Sequence, residues 1–323
     1  MQGCPFPKRG TAFMSETRQT VLVTGATGFV GRHVVAHLRE AGWTVRALVR
    51  PASSRRMEDA DAVEIADGDI RDAAAVAAAV RGCAACVHLV GLLRERGRQT
   101  FRAVHIDGTQ HVVGACLEAG VRRLLHMSAL GVGRSVETAY FVTKAEAEDC
   151  VRGSGLDWTI LRPSVIHGPH GDFMIQMSRM VARPGPVPLV GRGLQVIQPV
   201  WVEDVARLFA AALGRDVTVG RTYDVAGPDV LTLRVFYRTL ARVVLGREKR
   251  FLPVPRFLVR AGAWVASHVL SDPPVTPDEL RMLEAARPCD AAALRRDFDM
   301  QPAPFAATLE VYADELKAAA GVA

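Results

Sequence analysis

Short apolar runs alternate with amphipathic segments through the first half of this 323-residue chain. The apolar runs predict strands, and apolar positions that recur three and four residues apart predict the helices between them. The predicted strands are 20–24, 44–49, 62–66, 84–89, 122–127 and 157–162, and the predicted helices are 28–41, 53–59, 72–81, 99–119 and 138–153. Nearly unbroken apolar strands that alternate with helices indicate an α/β fold with a doubly wound parallel sheet.

The pattern changes after Pro163, where helices become the commoner element. Residues 173–182 predict a helix, which the closely spaced prolines at 184, 186 and 188 end. A strand at 194–199, a helix at 202–213, a strand at 221–226 and helices at 232–245, 256–269, 277–286 and 304–318 are predicted to follow. The second half of the chain is therefore expected to be mostly helical.

Three glycines, at positions 25, 28 and 31, separate the first predicted strand from the first helix. Glycine allows a tight turn and a close ligand, while the first turn of a helix presents free N–H groups and a positive dipole end to an anion. We predict that this turn binds the pyrophosphate of a dinucleotide, the alternative being a purely structural glycine turn. The predicted contacts are Gly25, Thr27, Gly28, Phe29, Val30 and Gly31.

Tyr140 and Lys144 form a second pattern, spaced so that both side chains lie on one face of a helix. Lysine is rare here, with four among 40 basic residues, which indicates a specific requirement for an ammonium group at position 144. Lys144 can lower the pKa of the phenol and bind a ribose, and Tyr140 can donate a proton to a carbonyl. The alternative is an exposed tyrosine stacked on the lysine side chain.

In this order, the two motifs resemble the short-chain dehydrogenase/reductase superfamily. Further segments resemble landmarks of its extended and atypical members: Asp69-Ile-Arg-Asp72, Val87-His-Leu-Val-Gly91, His126-Met-Ser-Ala-Leu-Gly131 and Leu161-Arg-Pro-Ser-Val-Ile-His-Gly-Pro169. Gln198-Pro-Val-Trp-Val-Glu-Asp-Val-Ala206 and Thr222-Tyr-Asp-Val-Ala-Gly-Pro228 resemble one atypical group, related to the NAD(P)-binding accessory subunit of respiratory complex I.

The resemblance implies a catalytic set of Tyr140 as acid/base, Lys144 as its electrostatic partner and Ser128 as the ligand of the substrate carbonyl. It also implies further cofactor contacts beyond the glycine turn: Asp69, Ile70, Val90, Gly91, Lys144, Pro163, Ser164 and Val165. Asp72 is expected to act as a helix N-cap. His105 stands where extended members usually carry asparagine, and His167 is expected either to line the nicotinamide pocket or to cap its loop.

Residues 1–18 precede the first predicted strand and are expected to be a disordered N-terminal extension. The resemblance implies that residues 19–165 with 200–226 form an NAD(P)-binding Rossmann domain. Residues 166–199 and 227–323 then form a smaller, mostly helical C-terminal lobe, with the substrate cleft between the lobe and the domain.

Arg50 decides the predicted cofactor. A dehydrogenase that prefers NAD(H) usually carries an acid at the end of the second strand, whereas this strand ends at Arg50, with Ser53, Ser54, Arg55 and Arg56 close behind. An arginine fork suits a 2′-phosphate, so we predict NADP(H), with NAD(H) as the alternative. Arg50 could instead be a surface residue that stacks on the adenine.

The leading functional hypothesis is an NADP(H)-dependent reductase or dehydrogenase of a small molecule, for which the apolar C-terminal lobe suggests an apolar or quinone-like substrate. The first alternative is a non-catalytic, cofactor-bound subunit or assembly partner of a respiratory quinone-linked complex, which His105 and the resemblance favour. The second alternative is a nucleotide-sugar epimerase. A monomer and a homodimer are both compatible with the sequence.

The distribution of charge and the spacing of the cysteines predict neither a nucleic-acid partner nor a metal site. The net charge of +6 is scattered over predicted helices, with no basic cluster interleaved with aromatics, so no nucleic-acid partner is expected. Cys83 and Cys86 form a CxxC pair without a second pair at zinc spacing, so we expect core thiols in a reducing compartment and no metal site.

No run of the sequence is long and apolar enough to predict a membrane span. Residues 1–18 lack the apolar core of a signal peptide, so a cytoplasmic location is expected, with a peripheral position at the inner face of the membrane left open. Residues 256–269 predict an amphipathic helix that either packs on the C-terminal lobe or faces a membrane or protein partner.

Overall fold

The computed structural model describes residues 19–51, 62–133, 137–270, 273 and 275–322. The predicted N-terminal extension 1–18, the predicted helix 53–59 and residues Ser53 to Arg56 lie outside the described residues. The predicted domain boundaries stay predictions.

The strands of the described part, in chain order, are β1 (Thr20–Thr24), β2 (Thr44–Val49), β3 (Glu64–Asp67), β4 (Ala85–His88), β5 (Arg123–Met127), β6 (Asp157–Pro163), β7 (Ile166–His167), β8 (Val187–Val190), β9 (Val196–Ile197), β10 (Val200–Trp201), β11 (Arg221–Val225), β12 (Leu231–Thr232) and β13 (Phe251–Val254). Seven of them form the central sheet in the order β11-β6-β5-β4-β1-β2-β3, with every neighbouring pair parallel. This order reverses direction between β1 and β4, which confirms the predicted Rossmann fold.

The α-helices of the described part are α1 (Phe29–Glu40), α2 (Ala73–Val80), α3 (Gly108–Glu118), α4 (Ala139–Arg152), α5 (Asp172–Ala182), α6 (Val202–Leu213), α7 (Leu233–Leu245), α8 (Arg256–Val269), α9 (Pro277–Ala285), α10 (Ala292–Phe298), α11 (Phe305–Val311) and α12 (Ala313–Ala320). A π-helical segment, Arg102–Asp107, leads directly into α3. The predicted helix 99–119 therefore contains two kinds of helical turn.

Apolar cores cover both faces of the sheet, as a doubly wound fold requires. On one face, Val34 and Leu38 of α1 and Phe209 of α6 belong to one fully buried cluster. On the other face, Val112 and Cys116 of α3 belong to a second cluster. The CxxC prediction is confirmed to this extent: Cys83 and Cys86 are buried free thiols of the second cluster.

Glu203 ties α6 to α1 on the first face. Its carboxylate oxygens lie 2.7 Å from His33 Nδ1 and 2.7 Å from His37 Nε2, two histidines one helical turn apart. Burial acts to raise the pKa of Glu203, but these hydrogen bonds and the two imidazoles bring it below its ordinary value. The acid near the start of α6 thus links two helices, in addition to any effect on the helix dipole.

The chain leaves the central sheet after β6 and returns to it through α6 and β11. Outside the sheet, helices α5, α7, α11 and α12 pack around a third apolar cluster that contains Phe236 and Leu240 of α7 and Phe305 of α11. The predicted helix 304–318 is divided at Tyr312 into α11 and α12. The sequence did not predict α10, β8 or β13. Strands β8 and β13 were not predicted because each contains a proline, Pro188 and Pro253. They pair with each other in a separate two-stranded sheet, where prolines are tolerated.

Candidate cofactor and catalytic site

The residues predicted to bind cofactor and substrate follow the carboxyl ends of β1 to β6. Because these strands are parallel, their carboxyl ends meet along one edge of the sheet, where nucleotides bind in folds of this type. The glycine turn follows β1, Arg50 follows β2, Asp69 and Ile70 follow β3, Val90 and Gly91 follow β4, Ser128 follows β5, and Pro163, Ser164 and Val165 end and follow β6. The fold therefore brings these residues to one edge, while their individual roles stay predictions.

Each of the three glycines after β1 has a different structural role. Gly25 has a φ of +79°, which side-chain-bearing residues rarely adopt. A Cβ atom on Gly31 would lie 2.0 Å from the Gly25 carbonyl oxygen, so only glycine lets α1 approach the turn this closely. Gly28 is the N-cap of α1 and offers no side chain to cap it. The amide groups of the first turn, from Phe29 to Gly31, are thus left for an anion, which fits a dinucleotide pyrophosphate.

On the adenine side, Asp69 is held by its neighbour Arg71. The guanidinium Nε and Nη2 of Arg71 each donate to one carboxylate oxygen of Asp69 at 2.8 Å. The hydrogen bond from Arg71 is the largest cause that lowers the pKa of Asp69, and the nearby charge of Arg50 adds to it. Arg50 is exposed and therefore open to a ligand phosphate. Asp72 is confirmed as the N-cap of α2, where it accepts from the amides of Ala74 and Ala75.

Tyr140, Lys144 and Glu148 lie one turn apart along α4 and are all buried. The Lys144 ammonium donates to the Met127 carbonyl oxygen at 3.0 Å, its only protein acceptor within the described residues. Burial lowers the pKa of Lys144 to about 8, while the charge of Glu148 acts to raise it. A Cβ atom on Gly91 would lie 3.0 Å from Lys144 Nζ, so a side chain here would crowd the ammonium.

The Tyr140 phenol lies in an aromatic pocket. Its ring packs edge-on against His105, with 5.6 Å between ring centroids, and against Phe101, with 6.1 Å. Met282 of α9 packs against the small cluster that Tyr140 forms with Val132 and Phe141. Burial raises the pKa of Tyr140 to about 12. This direction is opposite to the lowering expected from Lys144, because desolvation dominates at this position.

His105 is hydrogen-bonded through both ring nitrogens. Nε2 accepts from the Leu92 amide at 3.0 Å, which assigns the ring proton to Nδ1 and makes Nδ1 the donor to Thr143 Oγ1 at 2.9 Å. Burial, together with the charge of Lys144, lowers the pKa of His105 to about 3, so the ring is neutral. His105 therefore joins the loop after β4 to α4 through Thr143 and has no ring nitrogen left for Lys144.

Ser128 and Glu148 meet on the inner side of α4. The Ser128 hydroxyl is buried and has no hydrogen-bond partner of good geometry among the described residues. Glu148 binds Arg162 of β6, with Nε to Oε1 at 2.8 Å, and also pairs with Arg152. Burial acts to raise the pKa of Glu148, but Arg162, the nearby Ser128 hydroxyl and Arg152 bring it below its ordinary value. This buried ion pair was not predicted, although the one-turn spacing of Glu148 from Lys144 is visible in the sequence.

Two further buried histidines, not predicted as site residues, lie at the last position of β4 and the penultimate position of β5. His88 and His126 are paired in register, with ring centroids 5.1 Å apart. His88 Nδ1 lies 2.7 Å from Thr24 Oγ1, and both nitrogens of His126 are buried without a partner in the described part of the chain. Burial lowers the pKa of His88 to about 3 and that of His126 well below its ordinary value, so both rings are neutral beneath the site.

The surroundings of His167 fit the expectation that it holds the loop after β6 in place. His167 is 1% exposed and lies among the rings of Trp201, Phe305 and Tyr312. Its Nδ1 lies 3.1 Å from the Tyr312 hydroxyl. The ring therefore fixes the loop after β6 to the C-terminal helices.

Helix α9 is fastened over the Tyr140 pocket from the side of β4. Arg94, in the loop after β4, binds the Glu279 carboxylate of α9 through Nε at 2.8 Å and Nη2 at 2.9 Å. Arg94 Nη1 also donates to the Pro273 carbonyl oxygen at 2.7 Å. We call this contact the Arg94–Glu279 latch. It joins the loop beside Lys144 to the helix that covers Tyr140.

A three-glycine turn, a lysine and a tyrosine on α4, and a parallel sheet with a reversal of strand order define an NAD(P)-binding protein of the Rossmann class. The family model described as NAD(P)H-binding matches residues 25–182. The chain belongs to the NAD(P)-binding Rossmann family that includes subunit 9 of the mitochondrial NADH dehydrogenase (ubiquinone) 1 alpha subcomplex. This result confirms the resemblance found in the sequence.

The relatives differ in activity and in the length that aligns. The subunit 9 protein of Mus musculus is 30% identical over 93% of this chain and 80% of its own length. Ceramide reductase of Caulobacter vibrioides is 31% identical over 61% of this chain. The chain spans about three fifths of the length of the first curated relatives it matches. The structure of UDP-glucose 4-epimerase from Thermotoga maritima shares the fold, with a TM-score of 0.70 and 20% identity over 93% of this chain and 99% of that one.

Proposed function

We propose that the protein is an NADP(H)-dependent reductase that interconverts a carbonyl and a hydroxyl group on an apolar small molecule. The observation that carries the proposal is the pair Tyr140 and Lys144, buried together on α4 beside the cofactor edge of the sheet. A phenol and an ammonium buried without an acidic partner have no evident structural purpose, whereas both are needed to move a proton beside a ribose.

In the proposed carbonyl reduction, Tyr140, Lys144 and Ser128 each have a separate role. The bound nicotinamide would supply the hydride. Tyr140, whose pKa of about 12 keeps it protonated near neutral pH, donates the proton from Oη to the substrate oxygen. Lys144 remains mostly protonated below its pKa of about 8, holds the ribose and stabilises the tyrosinate left behind. The Ser128 hydroxyl, which lies beside Glu148, would turn to donate to the same substrate oxygen.

Arg50 supports NADP(H) as the cofactor. Its guanidinium is exposed at the end of β2, whereas Arg71 nearby is occupied by Asp69, so of these two described arginines Arg50 is the fork that can bind a 2′-phosphate. An apolar substrate is supported by the apolar surroundings of Tyr140 and by the relative named ceramide reductase. The same proposal assigns the protein to the cytoplasm, where its buried free thiols remain reduced, at or near the inner face of the membrane.

One observation favours the second candidate, a cofactor-bound subunit of a respiratory complex. Met282 packs against the Tyr140 cluster, and burial alone accounts for the high pKa of the phenol, with no lowering by Lys144. A covered, unactivated phenol suits a protein in which the cofactor has a structural role. The relatives named as subunits of NADH dehydrogenase support a contact with such a complex.

Turnover of apolar carbonyls by the purified protein distinguishes these candidates. We expect NADPH oxidation with a panel of long-chain ketones and quinones, and we expect Tyr140→Phe to reduce it about a hundredfold or more while leaving NADPH binding intact. Tyr237→Phe is the matched control, because that buried hydroxyl contacts only the Met177 sulfur in the described structure. Tight NADPH binding without turnover of any panel member would favour the structural subunit. Undiminished turnover by Tyr140→Phe would refute the catalytic assignment.

A further inference from the structure

Helix α8 turns its large apolar side chains towards solvent. Phe257 is 69% exposed, Trp264 59% and Val269 74%, and Leu258 and Val265 are each more than half exposed. At about 100° per residue, these five side chains fall within an arc of about 140° on the helix surface. The side of α8 that faces the protein is formed instead by Val259, Ala263 and Ala266, of which only Ala263 is fully buried.

This arrangement inverts the usual amphipathic helix, whose large apolar residues pack on the core. Leu252, before the helix, and Leu270, after it, are also about half exposed and extend the apolar surface at both ends. Contiguous apolar surface of this kind on a protein marks a binding surface. We propose that α8, together with Leu252 and Leu270, docks on the surface of an anionic phospholipid bilayer.

The charges beside this surface favour lipid over a protein partner. The stretch from 247 to 269 carries basic residues at 247, 249, 250, 256 and 260, and Glu248, its only acid, is paired with Arg242. Arg260 is paired with Glu284 of α9 and Lys249 donates to the Arg183 carbonyl oxygen, which leaves Arg247, Arg250 and Arg256 to meet lipid phosphates. A basic flank beside an exposed apolar face is the combination that binds anionic membrane surfaces.

The length and the rings of α8 also fit the membrane interface. A helix of 14 residues is about 21 Å long, too short to cross a bilayer core of about 30 Å, so it would lie in the plane of the surface. In the described part of the chain, no helix is long and apolar enough to span a membrane. Trp264 and His268 share one side of the apolar arc, with ring centroids 4.4 Å apart. Such amphipathic rings favour the headgroup level of a bilayer.

Helix α8 is connected through α9 to the candidate catalytic site around Tyr140. Arg260 joins α8 to α9, and α9 carries both Met282 over the Tyr140 cluster and Glu279 of the Arg94–Glu279 latch. A membrane under α8 would lie next to the helix that covers Tyr140. If the proposed reductase function holds, an apolar substrate could pass from the bilayer to the site past α9; the docking surface itself does not depend on that function.

Vesicle flotation of the full chain tests the proposal. We expect the protein to float at low salt with vesicles of phosphatidylcholine and phosphatidylglycerol at about two to one, and far less with phosphatidylcholine alone. Phe257→Glu and Val265→Glu should each reduce the bound fraction about tenfold, because a carboxylate would enter the apolar interface. Val311→Glu, at a 71% exposed valine of α11, is the matched control and should bind as the wild type does.

Tryptophan fluorescence and the oligomeric state distinguish membrane docking from association of two copies of the chain. Trp264 emission should shift to the blue on adding anionic vesicles, and the shift should be absent in Trp264→Phe. Absence of flotation with anionic vesicles, or equal flotation of the glutamate variants, would overturn the proposal. So would a dimer that the glutamate variants convert to monomer without any vesicle binding, since the face would then join two copies. Tyr140→Phe should float normally, so loss of turnover and loss of docking can be told apart.

Discussion

Lys144 carries its charge in surroundings that disfavour charge. The ammonium is 3% exposed, has one carbonyl acceptor and lies near three neutral imidazoles, those of His88, His105 and His126. A buried cation without a paired acid costs folding free energy, and such a cost is commonly retained where the charge serves a ligand. We therefore expect that replacing Lys144 by an uncharged residue increases folding stability and weakens cofactor binding.

Replacing Lys144 by methionine should stabilise the protein near neutral pH while weakening cofactor binding. The folded pKa of about 8 lies below the ordinary 10.5, so the unfolded chain binds more protons between these values and wild-type stability rises with pH through that window. Lys144→Met removes a cost of about 3 kcal/mol below pH 8, and this advantage should shrink towards pH 10.5.

Urea unfolding at a series of pH values measures this difference. Lys317→Met, at a more exposed lysine of α12, should show no comparable pH-dependent gain. A Lys144→Met variant whose advantage over wild type is the same at pH 7 and pH 10 would contradict the assigned pKa shift.

At the scale of elements, α9 is held in place by its capping box and by the Arg94–Glu279 latch. Glu279 serves both: its Oε2 accepts from the Thr276 amide at 2.9 Å, and both carboxylate oxygens accept from Arg94. Because the two contacts have different charge requirements, one substitution can separate them. An amide oxygen can keep the cap, whereas only a carboxylate forms the ion pair with the guanidinium.

Glu279→Gln should therefore loosen α9 without unwinding its first turn. Partly exposed ion pairs contribute about 1 kcal/mol, so amide hydrogens of 277–285 should exchange about fivefold faster. Asp278→Asn, which removes a charge from the same helical turn but only an exposed pair with Arg281 inside α9, is the control and should change the exchange far less. Equal protection of α9 in wild type and Glu279→Gln would show that the latch does not restrain this helix.

Comparison of the predicted with the observed helices shows which structural features apolar spacing can predict and which it cannot. The bounds of α8 were predicted correctly, because its apolar spacing is helical and Pro255 precedes it. The pattern could not tell which side of α8 faces solvent, since small residues rather than large ones meet the protein. The π-helical turn before α3 was missed because apolar spacing over six residues does not distinguish a π-helical turn from an α-helical one. Glu148 and His126 were overlooked because such residue types are seldom fully buried.

For the whole molecule, the sheet edge that gathers the predicted site also links cofactor binding to global stability. The glycine turn, Arg50 and Gly91 come from separate strand ends and Lys144 comes from α4, so a dinucleotide that contacts all of them would bind the folded chain and not the unfolded one. Ligands of this kind raise the midpoint of thermal unfolding by mass action. The size of that increase reports the affinity for each cofactor.

NADPH should raise the thermal midpoint more than NADH at equal concentration, and Arg50→Ala should abolish that difference. Loss of the contact to a 2′-phosphate is expected to weaken NADPH about tenfold, or about 1.4 kcal/mol. Arg122→Ala is the control, because Arg122 precedes β5 and so lies at the opposite edge of the sheet. Equal shifts by both cofactors in the wild type would count against NADP(H).

The return of the chain to β11 after its excursion from the sheet bears on how the molecule is made. β11 pairs with β6 along its length, yet the stretch 164–220 separates the two strands in sequence. Closing so long a loop delays strand pairing, and non-local pairing of this kind slows folding. During synthesis, the β6 edge emerges from the ribosome well before its cover exists. A nascent chain stalled before Arg221 would present an unpaired strand edge, and chaperones would meet this protein there first.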